Sequence, residues 1–303
     1  MNSKTIIYHR DCTDGFSSAV ILSKRLSTSP FPVSLIALNH GDELPLGITG
    51  DIYMLDFSYP REYLLQISST ASNISIYDHH KTTIEDLRGV EESLKCPSNI
   101  ILDLDRAACQ ITWDESFPGL VRPKSIERIA DRDLGRFVHP ETRNITAFFY
   151  KLPQDVSIWS NMLKDENYET ALSLGSGIEN AMQLKIDSII KDSSISRIGD
   201  HLVSYVNTGI EFASDAGEAM LLKHPEINFS VSYREVSAGF HFSLRSRENE
   251  FDVAKFAENF SGGGHAVSAG FISETLPWTN IVSSLVSENE NNHSSYDVSK
   301  KLY

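Results

Sequence analysis

The stretch ISIYDHHKT (74–82) sets the reading of this sequence. Ile74–Tyr77 is a short run rich in apolar and β-branched residues, with the length and composition of a strand. It ends directly on Asp78, His79 and His80. An Asp at a strand end is commonly the N-cap of the next helix. Two adjacent histidines behind it have no capping or packing reason to be there, so the triplet is read as chemistry.

Working outward, the same arrangement recurs upstream. Thr5–Tyr8 reads as a strand followed by His9, Arg10 and Asp11, and Ile52–Leu55 as a strand followed by Asp56. Val33–Leu38 is a further strand, while Gly15–Leu26 and Tyr63–Ser68 have helical spacing. Strands separated by helices predict βαβ units and a parallel sheet, whose ligands sit beyond the carboxyl ends of the strands. The expected class is α/β. A parallel-sheet metal-binding catalytic domain is expected over 1–165 and a helical connector over 166–195, in which Gly175 and Gly177 weaken the helix Tyr168–Ile190. A smaller α/β domain that binds substrate follows over 196–287, with strands at His201–Val206, Phe229–Tyr233 and Gly239–Leu244. The polar, aperiodic 288–303 is expected to be a disordered tail.

The 303 residues exceed what one core usually organises, and the 41% hydrophobic and 22% charged fractions are those of a globular protein. No secretory signal, transit peptide or membrane span is read from the sequence, and a cytoplasmic protein with reduced thiols is expected. Cys12, Cys96 and Cys109 are odd in number and far apart, which is no disulfide framework. The net charge of -14 argues against a track for long nucleic acid, because such a track gains affinity by counterion release from basic residues.

The strand ends thus collect His9, Asp11, Asp14, Asp56, Asp78, His79 and His80, and a helical segment adds Asp131 and Asp133 in IADRDLG (129–135). Several carboxylates in one crevice repel unless cations neutralise them. Carboxylate mixed with imidazole suits Mn²⁺ or a similar first-row ion better than zinc. Two such ions sharing a carboxylate is a standard arrangement for phosphoester hydrolysis, acidifying a water and clamping phosphoryl oxygens.

HRDCTDG (9–15), MLDFS (54–58), YDHHKT (77–82) and IADRDLG (129–135) resemble the four motifs of the DHH phosphoesterase superfamily. The segment FSLRSRENEFDVAKFAENFSGGGHAVSAGF (242–271) is similar to the accompanying DHHA1 domain. The resemblance implies two Mn²⁺, with Mg²⁺ or Co²⁺ as substitutes, held by His9, Asp11, Asp14, Asp56 as the bridging carboxylate, His79 and Asp131. It makes Asp78, His79 and His80 catalytic, with Asp78 orienting its neighbours and His80 facing the substrate phosphate. The first-motif carboxylates, Asp11 and Asp14, stand three apart, where the family often has them two apart. Cys12 lies within that loop, and chemistry by two metals and water needs no thiol.

In the C-terminal domain, Gly262, Gly263, Gly264 and His265 form a bend whose N–H groups can approach a phosphate. Arg245 and Arg247 are read as facing opposite sides of their strand, with Arg245 at the position that reaches substrate. The implied activity is hydrolysis of short oligonucleotides or nucleotides, in the manner of nano-RNases and pAp phosphatases. The alternatives are a cyclic- or linear-dinucleotide phosphodiesterase, a RecJ-like exonuclease, a polyphosphatase, or a nucleotide-binding regulatory module. The expected partner is that short substrate, with no membrane, and a homodimer is compatible with the sequence.

Overall fold

The computed structural model describes residues 3–276 except His40 and Leu46. The tail expected over 288–303 lies outside the described residues. The chain divides into two compact units, Met1–Asn180 and Ala181 onward.

In the first unit five strands form one parallel sheet: β1 (Lys4–His9), β2 (Val33–Leu38), β3 (Gly50–Leu55), β4 (Ala71–Asp78) and β5 (Ser98–Leu102). The spatial order is β2-β1-β3-β4-β5, with all neighbours parallel. Alternate residues feed two cores, as the period of two requires. Ile6, Tyr8, Leu55 and Tyr77 face a layer that contains α1 (Thr13–Leu26), α4 (Ala108–Ser116), α5 (Lys124–Asp133), α6 (Thr142–Lys151) and α7 (Val156–Met162). Ile7, Ile52, Met54, Ile74 and Ile76 pack on the other face with Leu64 and Ile67 of α2 (Arg61–Ile67); the short α3 (Lys81–Asp86) follows β4. The strand order reverses between β1 and β3. In a doubly wound sheet that is the point where the loops diverge and leave a crevice.

Helix α8 (Tyr168–Lys191) runs unbroken through Gly175 and Gly177. A side chain at Gly175 would collide with the Asn144 carbonyl, so this glycine reflects close helix packing rather than a break.

The second unit carries a six-stranded mixed sheet: β6 (Ser194–Ile198), β7 (His201–Asn207), β8 (Phe229–Val236), β9 (Gly239–Arg245), β10 (Gly263–His265) and β11 (Ser268–Ser273). The order is β10-β11-β9-β8-β7-β6, and only β7 and β8 are parallel. Helix α9 (Ile210–Lys223) packs on β8 and β9, and the short α10 (Val253–Glu258) packs near β10 and β11. Phe229, Phe242, Leu244 and Phe271 form the centre of its core. The structure is α/β throughout, as the sequence predicts. Among the described residues no helix is long and apolar enough to cross a membrane.

Candidate metal centre

The first unit gathers its polar strand ends at the β1/β3 switch point and beside it. Asp56, one residue past β3, sits at φ 54°, a left-handed conformation that Asp tolerates better than most residues but still at a cost. Its N–H is held by the Tyr77 carbonyl of β4. Its carboxylate therefore projects between the ends of β1 and β4: Oδ2 lies 3.5 Å from His9 Nδ1, and Oδ1 lies 3.2 Å from His79 Nε2.

Asp14 enters from the first turn of α1. Gly15 makes this possible, since a Cβ there would sit 2.8 Å from the His9 carbonyl and push the helix off the strand. The buried Asp14 carboxylate accepts N–H bonds from Ala108 (2.8 Å) and Cys109 (2.8 Å) at the start of α4. Part of its role is thus to tie α1 to α4. Each oxygen retains a further lone pair, and Oδ2 stands 3.8 Å from His79 Nε2.

Asp78 is buried and orients its neighbours differently from one another. Its Oδ1 accepts His80 Nδ1 at 2.6 Å and the backbone N–H groups of His79 and His80. It fixes the His80 ring directly but reaches His79 only through the main chain. The His79 ring is positioned instead by Asp56 and by Asp133, whose Oδ2 is 3.1 Å away.

Three groups of potential ligand atoms fall within 4.8 Å of one another: Asp56, Asp78, His79 and His80; His9, Cys12 and Asp56; and Asp14, His79 and Asp133. Asp56 belongs to two of them, and so does His79. Of the expected ligands, the structure brings together His9, Asp14, Asp56 and His79. It does not bring Asp11, which is exposed at φ 56° and joins no group.

Asp131 does not join them either. Its carboxylate is consumed by Val138 N–H (3.0 Å), His139 N–H (3.1 Å) and Thr142 Oγ1 (2.5 Å), and so it braces the turn into α6. Asp133 stands at the cluster instead. A signal was present in the sequence: Ile126, Ile129, Ala130 and Asp133 follow i, i+3, i+4, i+7, so Asp133 continues the apolar stripe of α5, although Asp131 is the more buried of the two acids.

The electrostatics show a site short of positive charge. Two unit charges 4 Å apart interact by roughly 4 kcal/mol at an effective dielectric near 20, enough to displace titrations. Burial and the neighbouring Asp56 raise Asp14 to about 6. Burial together with Asp14 and Asp56 lifts Asp133 well above the carboxylate range. For Asp56, burial is outweighed by contacts with His79, His9 and Cys12, which hold it below that range. His79 is raised to about 9, since Asp56, Asp133 and Asp14 override its desolvation. The Asp78 hydrogen bond raises His80. Burial, then Asp56, Asp14 and Asp133, push the Cys12 thiol up.

Asp56 Oδ2, Asp78 Oδ2 and Asp133 Oδ2 are buried yet form no hydrogen bond. Asp133 Oδ2 is near enough to His79 for charge attraction but is not aligned as a hydrogen bond. Buried polar atoms are normally satisfied. Three unsatisfied carboxylate oxygens in one crevice are what bound cations would complete, so this donor set fits divalent ions.

In the second unit the glycines of the GGGH segment separate into two kinds. A Cβ at Gly262 would strike the Gly270 carbonyl at 2.3 Å, and one at Gly264, at φ 146°, would strike the Ser268 carbonyl at 2.5 Å. Both are required by the β10–β11 hairpin itself. Gly263 faces open space, and His265 is exposed. The expectation that Arg245 and Arg247 face opposite sides of a strand does not hold: residues two apart on a strand share a face, and β9 ends at Arg245, with Arg247 beyond it. Both guanidiniums lie on the α9 side. Arg245 donates to Ser214 and to the Leu244 carbonyl, while Arg247 is occupied by the carbonyls of Leu221, His224 and Ile227 and by Glu250.

No family model matches the chain. An uncharacterised protein of Acanthamoeba polyphaga mimivirus is 29% identical over 284 residues, 88% of this chain, and the match spans 66% of that relative's length. The structure is similar to a pGpG-specific phosphodiesterase of Vibrio cholerae, with a TM-score of 0.58 and 11% identity over 96% of this chain and all of the other. It is also similar to an exonuclease RecJ bound to manganese, with a TM-score of 0.50 and 11% identity over 97% of this chain and 91% of the other. The four motifs that carry the resemblance lie at the ends of β1, β3 and β4 and on α5, and the protein shares the fold of these two solved structures.

Proposed function

We propose that the protein is a divalent-metal-dependent phosphoesterase acting on short oligonucleotides or nucleotides, with Mn²⁺ as the preferred ion. The observation that carries this reading is the set of buried, unsatisfied carboxylate oxygens around His79 at the switch point. His9, Asp14, Asp56, His79 and Asp133 would hold the ions. When bound, the ions neutralise phosphoryl charge and acidify a water for attack on phosphorus.

The chain's own residues supply position. Asp56 reaches toward His9 on one side and His79 on the other, as a shared ligand must. Asp14, tied to the start of α4, holds its carboxylate rigidly. Asp78 fixes the His80 ring, and the same bond favours its proton. His80 can therefore present positive charge to a substrate phosphate, which hydrogen bonds of this charged kind strengthen. The catalytic role belongs to the first unit and substrate binding to the second, through Arg245, His265 and the N–H groups of Gly262, Gly263 and Gly264.

The short-substrate preference is supported by the net charge of -14, which gives a longer strand no basic track. The test is kcat/KM with Mn²⁺ on pAp, linear and cyclic dinucleotides, a 2- to 24-mer series and polyphosphate, each at two ionic strengths. The expected result is a maximum at about two to five nucleotides. Longer strands should be disfavoured further at low salt, where the Debye length grows to about 30 Å at 0.01 M. Rates that rise with length, and rise again as salt is lowered, would make it a processive exonuclease; turnover in chelator would end the metal reading.

A further inference from the structure

We propose that Cys12 is a direct ligand of one of the two metal ions, so that this centre binds one of its cations partly through sulfur. The inference rests on the metal-dependent reading above and extends it to a residue that the two-metal chemistry itself does not require. Cys12 is the N-cap residue of α1, two positions before Asp14. Its sulfur, a ring nitrogen of His9 and a carboxylate oxygen of Asp56 all lie within 4.8 Å of one another. Asp56 Oδ2, which faces His9 at 3.5 Å, is buried without a hydrogen bond, so a carboxylate oxygen that can still take a cation points into the same space. Asp11, the carboxylate expected from this loop, is exposed and joins none of the ligand groups. The left-handed turn at Asp11 carries the chain so that the next residue, Cys12, stands at the cluster.

A thiolate, an imidazole and a carboxylate form a three-donor set that a first-row cation can complete with water or substrate. On binding, the S–H bond breaks, the proton leaves to solvent and sulfur bonds to the ion. The two remaining groups, Asp14 with His79 and Asp133 and Asp56 with Asp78, His79 and His80, have no sulfur. The two positions should then differ in preference. The sulfur-containing one favours softer, more tightly binding ions such as Co²⁺ or Zn²⁺, and the carboxylate one suits Mn²⁺ or Mg²⁺.

The experiment is a Co²⁺ titration of the chelator-treated full chain, followed by near-ultraviolet absorption and, in parallel, by calorimetry. The wild type should develop a sulfur-to-cobalt charge-transfer band. The band should disappear in Cys12→Ser and in Cys12→Asp, and persist in Cys96→Ser. Losing an outer-shell partner already costs about 10- to 100-fold in metal affinity. Cys12→Ser should therefore weaken the affected Co²⁺ step by at least that much, while Cys12→Asp binds both ions and shifts preference toward Mn²⁺. Circular dichroism confirms that each variant folds. Calorimetric Co²⁺ binding with no charge-transfer band, or a band retained in Cys12→Ser, would overturn the sulfur ligand and leave the metal centre standing. Absence of any Co²⁺ or Mn²⁺ binding would remove the metal centre itself, and Cys12 ligation with it.

Discussion

The carboxyl ends of the parallel sheet and the β10–β11 hairpin of the second unit both carry motifs of polar and glycine residues, yet they meet their polar needs in opposite ways. At the sheet, Asp56, Asp78 and Asp133 each keep a buried oxygen that no protein donor satisfies. At the hairpin, Gly262 and Gly264 are explained by backbone contact within the hairpin, and Arg245 at the end of the adjoining β9 and Arg247 just beyond it already donate to neighbouring oxygens. Protein atoms complete the second region, whereas the first keeps oxygens that bound cations would complete. Changes at the sheet should therefore abolish function, and changes at the hairpin should only reduce it.

The largest effect is expected at the shared positions. Asp56→Ala or His79→Ala should lower Mn²⁺-dependent kcat/KM by about 10³-fold or more, since metal charge stabilisation is worth several kcal/mol. The assay is steady-state turnover on the best substrate of the panel. Near-normal rates in either variant would place the chemistry elsewhere and dissolve the contrast between the two regions.

At the hairpin, Arg245→Ala and His265→Ala should each cost roughly 10- to 150-fold in kcat/KM, the equivalent of about 1.5–3 kcal/mol for a charge-assisted contact. Mn²⁺ affinity should be unchanged, which separates a substrate grip from damage to the centre. Because Arg245 already donates to Ser214, ligand must compete for it or share it. Unaltered kinetics in both variants would mean that these residues serve only the fold of the second unit.

Much of the architecture was legible in the sequence because strand period, helix spacing and polar strand ends agreed with one another. Ile74–Tyr77 followed by Asp78, His79 and His80 points to the strand end where the acidic and imidazole side chains gather, since ligands of a parallel sheet sit beyond the carboxyl ends of its strands. The short strands β5, β6, β10 and β11 are not legible in the sequence: three to six residues with a mixed pattern give too little periodicity to separate strand from loop. Motif position names Asp131, but it does not tell which of two acids on one helix reaches the cluster of potential ligands. The stripe of Ile126, Ile129 and Ala130 could have told. The opposite-face reading of Arg245 and Arg247 failed on strand geometry. Cys12 was set aside because the chemistry did not require it; only the folded loop shows the sulfur, rather than Asp11, beside Asp56.

On the proposed function, the unsatisfied carboxylates beside the sheet, not motif acids in general, would hold the catalytic ions. Asp131 and Asp133 test it most directly, being two residues apart on α5 and chemically identical. The measurement is calorimetric Mn²⁺ titration of Asp131→Ala and Asp133→Ala, with urea unfolding of each metal-free protein. Asp133→Ala should lose at least one Mn²⁺ step while its metal-free stability changes by no more than about 1 kcal/mol, since burial, Asp14 and Asp56 favour the neutral carboxyl and its Oδ2 makes no hydrogen bond to lose. Asp131→Ala should keep both Mn²⁺ steps under native conditions and lose on the order of 3 kcal/mol of stability, as Val138, His139 and Thr142 lose their acceptor. The reverse pattern, with Mn²⁺ binding lost in Asp131→Ala and intact in Asp133→Ala, would contradict the account.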